Sequence, residues 1–157
     1  MHDLLQHLHH VDLDSALRGF LAFVESVDPC FLAMIVAVLS RHAGVALGQA
    51  DVFVNVAGGV RIDEPGADLA VALAIVSAAK GSPLKPGLAA FGEVGLTGRL
   101  RPAVQSERRL EECAKLGLAA AVAPSATPAR GKLRVLEAET LRQAVRSAID
   151  AERPEGG

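Results

Sequence analysis

The sequence predicts an α/β (α+β) domain, a mixed sheet with flanking helices. Three observations carry this. Segments of helical periodicity alternate with short Val-, Leu- and Ala-rich runs between residues 28 and 150. Glycines and prolines punctuate these segments, as at Gly44, Gly58, Gly59, Pro65 and Gly81. The chain has 157 residues, 50% of them hydrophobic, which fits one domain with a buried core.

Each element has its own signal. Residues 1–27 read as a leader, part disordered or vector-derived, with one strand over Leu17–Glu25. His2, His7, His9 and His10 lie there. His7 and His10 can share a helix face, but no carboxylate or thiol sits at complementary spacing, so no metal is expected. "DPCFLAMIVAVLSRHAG" predicts a helix capped by Asp28, with Pro29 at its first position and Gly44 at its end. Leu32, Ile35, Val36 and Leu39 keep its period. "DVFVNVAGG" alternates Val52, Val54 and Val56 against Phe53 and Asn55 and predicts a strand. "ADLAVALAIVSAAKG" predicts a helix whose small residues suit close packing on a sheet. "LAAFGEVGLTGRLRPAV" predicts a hairpin turning at Gly-Leu-Thr-Gly.

"SERRLEECAKLG" predicts an amphipathic helix with Ser106 as N-cap and Leu110, Cys113, Ala114 and Leu116 inward. "LAAAVAP" predicts a buried strand, "PSATPARGK" a loop, "LRVLEA" a short strand and "ETLRQAVRSAID" a closing helix. Residues 151–157 read as a flexible tail.

Composition narrows the function. Only 3% of residues are aromatic and there is no Trp or Tyr, which argues against reading bases by stacking. Cys30 and Cys113 are far apart and are expected to be buried thiols in a reducing compartment. No apolar run reaches the roughly 18 residues of a membrane span, and the His- and Asp-rich N-terminus does not resemble a signal peptide. No membrane partner is expected, and the cytoplasm is the expected compartment. Charge is uneven. Residues 1–98 hold 5 Lys/Arg against 10 Asp/Glu, a net of −5, and residues 99–153 hold 11 against 7, a net of +4. The bland reading is solvated helix faces; the sharper one is a basic face for an anionic partner.

The stretch "GGVRIDEPGADLAVALAIVSAAK" has the strand–loop–helix layout in which nucleophiles often sit. Its corner offers Gly66, Ala67 and Asp68, with no Ser, Thr, Cys or Lys. Asp63 or Asp68 can cap the helix, and Asp63, Glu64 and Asp68 lie too close in sequence to wrap an ion easily.

"DVFVNVAGGVRIDEPGADLAVALAIVSA", followed by "FGEVGLTGRLRPAVQSERRLEECAKLGLAAAVAP", resembles the C-terminal Lon-protease-like domain of the bacterial RadA (Sms) DNA-repair proteins. The likeness covers roughly residues 28–150. It implies the Lon proteolytic-domain fold, of the ribosomal-protein second-domain-like type, over those residues. Lon proteases use a Ser-Lys dyad. On this chain the serine's place falls on Gly66 and the lysine's, five residues beyond Pro102, on Glu107. Hydroxyl chemistry needs an oxygen and a base. With neither present, the resemblance implies a retained fold without peptidase chemistry.

The RadA family also carries a Cys₄ zinc motif and a RecA-like ATPase core. This sequence contains neither four cysteines nor a phosphate loop. No cofactor is therefore expected, since ATP, magnesium and zinc belong to family domains not seen here. The resemblance implies an oligomerisation scaffold, hexameric in the full protein, for a DNA-stimulated helicase of branch migration, with single-stranded or branched DNA and a recombinase as partners. Two alternatives stand beside it: an interaction module unrelated to DNA, and a peptidase with a displaced nucleophile, Ser77 or Ser106. The DNA-contact candidates are Arg99, Arg101, Arg108, Arg109, Lys132 and Arg134. Arg99 and Arg101 flank Leu100 and share a strand face, and they suit phosphates rather than bases. The competing expectation is that Arg108 pairs with Glu111 or Glu112 on its own helix.

Overall fold

The computed structural model describes residues 27–48, 50–54, 62, 64–125, 127 and 133–149. The strand expected over Leu17–Glu25, the leader histidines, Asp63, Lys132 and the tail lie outside the described residues.

The described fold is mixed α/β. Four helices, α1 (Pro29–Val38), α2 (Asp68–Lys80), α3 (Ser106–Lys115) and α4 (Leu141–Ala148), surround two small sheets. The larger sheet is parallel, in the order β1 (Leu88–Ala90), β4 (Ala120–Pro124), β5 (Arg134–Ala138). Leu88 lies opposite Ala120, and Val122 opposite Leu136. The smaller is an antiparallel pair, β2 (Glu93–Val94) with β3 (Leu100–Arg101).

Central strand β4 is buried on both faces, which is why it reads as an unbroken apolar run. Its alternate side chains feed two cores. Val122 joins Ile35, Leu39, Leu69, Leu73, Leu141 and Val145 on the face covered by α1, α2 and α4. Ala121 and Ala123 join Ala89, Phe91, Ala103, Leu110 and Cys113 on the face covered by α3. Helix α2 is buried continuously from Val71 to Val76, so its composition is apolar all round rather than striped.

The helix ends follow local chemistry. Asp28 Oδ1 accepts from the Cys30 amide at 2.7 Å, with Pro29 in the first turn, as the sequence predicts. α1 then widens into a π-helical turn, Leu39–Ala43, which Gly44 ends in the left-handed conformation. Thr140 and Gln143 form a reciprocal capping box at the start of α4.

Four expectations need correction. Asp51–Val54 carries no assigned strand, although Val54 is buried. The rest of that expected strand, residues 55–59, lies outside the described residues. The expected hairpin divides: Leu88–Ala90 joins the parallel sheet, and only two residues on each side of the Gly95–Gly98 turn pair with each other. On α3, Leu110 and Cys113 face inward but Ala114 and Leu116 are exposed, because the helix presents only a narrow stripe to the core. Cys30 is exposed; burial pushes the thiol of Cys113 up.

Candidate functional site

The corner before α2 is a single 3-10 turn, Pro65–Ala67, entered through Glu64. Gly92, between β1 and β2, stitches it to the sheet. The Gly92 amide donates to the Gly66 carbonyl at 2.9 Å, and the Leu69 amide donates to the Gly92 carbonyl at 3.1 Å. Asp68 is the first residue of α2 and does not cap it. Its side chain turns inward, 5% exposed, and Oδ2 accepts from the Val94 amide at 3.0 Å. Among the described residues Oδ1 has no partner. Burial pushes the Asp68 carboxyl up to about 6; the Val94 amide opposes the shift and neighbouring Glu93 adds to it.

The two positions that the resemblance sets against a dyad are not arranged as a catalytic pair. Gly66 is buried, and a Cβ there would lie 2.9 Å from the Ala103 methyl carbon and 3.0 Å from Glu64 Oε1. A hydroxymethyl group has no room. Glu107 is exposed on the first turn of α3. Across the corner runs an ion pair that the sequence did not suggest, Arg109 with Glu64, and Arg109 Nε also donates to the Val104 carbonyl at 3.0 Å.

The displaced-nucleophile candidates are occupied. Ser77 Oγ donates to the Ser82 carbonyl at 2.8 Å, and buried Ser106 Oγ donates to the Ala103 carbonyl at 2.6 Å. Ser106 is not an N-cap either: Gln105 holds that position in the left-handed region at φ 56°. The double variant Gly66→Ser/Glu107→Lys is expected to gain no labelling by a serine-hydrolase probe. Gly66→Ser alone should lower unfolding free energy by about 1–3 kcal/mol through overpacking, read by urea denaturation.

The arginines expected to meet phosphate divide into paired and open groups. Arg99 and Arg101 are exposed on either side of buried Leu100, as the alternation requires. Arg99 pairs with Glu139 at 3.8 Å and Arg101 with Glu93 at 3.5 Å. Arg109 is turned into the corner rather than outward. Arg108 is exposed, but Glu112 pairs with Lys115 at 2.8 Å instead of with Arg108. Residues from Gln105 to Lys115, Arg108 among them, line a shallow depression along α3. Arg134 is exposed at the start of β5, apart from the hairpin. The residues sequence reasoning missed are Glu64, Glu93 and Glu139, each far in sequence from its arginine or hidden by the hairpin between them. Only the fold brings them together.

The family model described as subunit ChlI of Mg-chelatase matches residues 33–127, more than half of the chain. Among curated proteins, the DNA repair protein RadA of Escherichia coli is 48% identical over 95 residues, 60% of this chain and 21% of the relative. RadA of Pseudomonas aeruginosa is 41% identical over 122 residues, 76% of this chain and 27% of the relative. RadA of Haemophilus influenzae is 40% identical over 112 residues, 71% of this chain and 24% of the relative. The chain thus spans about a quarter of the length of these relatives.

Proposed function

The chain belongs to the family of the Mg-chelatase subunit ChlI, and from that membership, with the likeness to RadA beside it, we propose that it is a non-proteolytic, Lon-like domain of a RadA-type DNA repair protein. Residues 28–150 form the Lon-like unit, between a leader and a tail. The domain scaffolds self-assembly, as a ring of six in the full protein, and offers the phosphate backbone a sequence-independent surface during branch migration. Its DNA is single-stranded or branched, a recombinase is a further partner, and its compartment is the cytoplasm. The domain works without ATP, magnesium or zinc of its own, and no chelatase chemistry is part of the proposal. Among the described residues no helix is long and apolar enough to cross a membrane.

The observation that carries the reading is Gly66. The corner is tied to Gly92 by two backbone hydrogen bonds, and the space beside Gly66 is filled by Ala103 and the Glu64–Arg109 pair, which supports a corner without a nucleophile.

Arg99 and Arg101 are the first residues to test. Arg99–Glu139 is exposed on both sides and Arg101–Glu93 on the arginine's side; both are long and worth at most about 1 kcal/mol each, so phosphate can compete for the guanidinium groups. The variant Arg99→Ala/Arg101→Ala is expected to weaken binding to unrelated oligonucleotides alike and to flatten the log–log salt slope by about 0.7 per lost contact. Fluorescence anisotropy across salt reads both. Losses confined to one sequence would contradict phosphate contact, and an unchanged slope would remove this pair from the interface.

A further inference from the structure

We infer that the π-helical turn and α4 together present a second phosphate-contacting surface, made by Arg41, Arg142 and Arg146 and outside the hairpin region. The inference rests on the DNA-contact reading and relocates part of it.

Three observations converge. The first is availability. Arg99, Arg101 and Arg109 each have a carboxylate partner. Among the described residues no carboxylate pairs with Arg41, Arg142 or Arg146, and all three are exposed. Phosphate meets these guanidinium groups without displacing an internal anion.

The second is placement. Arg142 Nε donates to the His42 carbonyl at 3.2 Å, which docks α4 on the turn that carries Arg41. That bond uses one N–H and leaves the terminal fork of Arg142 for other acceptors, the geometry that grips a phosphate bidentately. Arg146 stands one helical turn beyond, about 6 Å along the axis, close to the rise of two phosphates at about 3.4 Å each. The Leu141 amide donates to the Gly98 carbonyl at 2.8 Å, so this surface abuts the hairpin turn before Arg99 and continues the basic face.

The third is cost. Arg41 lies at a helix C-terminus, where a cation is stabilising, and folding alone accounts for it. Arg142 lies in the first turn of α4, at the positive end of the dipole, where no acidic residue offsets it. Helix stability disfavours a cation there; the Nε bond to the His42 carbonyl meets part of that cost, and a bound anion would meet the rest. Glu139 is the nearby carboxylate, and it is engaged by Arg99.

The test uses the full chain and a fluorescent oligo-dT strand, with anisotropy read across salt. Arg41→Ala/Arg142→Ala/Arg146→Ala is expected to weaken binding on the order of tenfold or more and to reduce the salt slope by about two units, near 0.7 per contact. Because Arg142 also docks α4, a second variant, Arg41→Glu/Arg146→Glu, leaves that bond in place and is expected to weaken binding at least as much. Circular dichroism confirms that it is folded. If wild type binds and folded Arg41→Glu/Arg146→Glu keeps its affinity and slope, the second surface is wrong and the DNA reading stands. If wild type itself does not bind at low salt, both fall.

Discussion

Asp68→Asn is expected to remove a pH-dependent loss of stability on the order of 3 kcal/mol. Burial raises the Asp68 carboxyl from an ordinary 3.8 to about 6. Below about pH 4 the group is protonated in both folded and unfolded chains, and its contribution is fully present. As pH rises through 6 the folded chain must hold a buried carboxylate, while the unfolded chain has already ionised in water. Stability is therefore lost between about pH 4 and 6, at about 1.4 kcal/mol for each tenfold difference in proton affinity between the two states. Asparagine keeps an acceptor for the Val94 amide and carries no charge. Urea denaturation at a series of pH values should show the wild-type decline missing from the variant. Parallel pH profiles for the two proteins would contradict the buried-charge account. The decline matters for function because the Asp68–Val94 bond ties the hairpin to α2.

Gly92→Ala is expected to cost about 3 kcal/mol. Its φ of 152° is one that residues with a side chain rarely adopt, and a Cβ would lie 2.9 Å from Pro124 Cγ and 3.0 Å from Cδ. Strain and overpacking each contribute about 1–3 kcal/mol. Pro124 ends the central strand and is fully buried, so it cannot move aside cheaply. Gly92 also holds the Gly66 corner through both its amide and its carbonyl. A thermal melt of the variant within about a degree of wild type, where several degrees are expected, would mean that the seam is looser than described.

The helices were legible because their signals are local. Asp28 followed by Pro29, glycine at 44 and 81, and the Leu110/Cys113 stripe each depend on a few neighbouring residues. The parallel sheet was only half legible. "LAAAVAP" declared a buried strand, but nothing local told "LAA" at 88–90 to pair with it rather than to extend the hairpin. Gly92 makes that break, and its conformation is a property of the folded chain.

At the candidate site, residue identity is local and packing is not. Gly66 and Glu107 lack the atoms of a dyad, and that is readable from residue identity alone. What fills the space is not. Ala103, Glu64 and Arg109 come from three segments, and the ion pair joins residues 45 apart in sequence. The same limit hid the partners of Arg99 and Arg101. It also hid the openness of Arg142 and Arg146, which in sequence look like ordinary solvated positions on an amphipathic helix.

The central claim is that this chain keeps a Lon-like framework in order to hold the phosphate backbone. The most direct measurement is the affinity of the unmodified chain for single-stranded oligonucleotides of unrelated sequence across a range of salt, with solution mass followed by light scattering. The account predicts similar affinity for every sequence, a linear fall of log affinity with log salt, and tighter binding at protein concentrations where the chain self-associates. No binding at the lowest salt, including at concentrations where light scattering shows assembly, would contradict it.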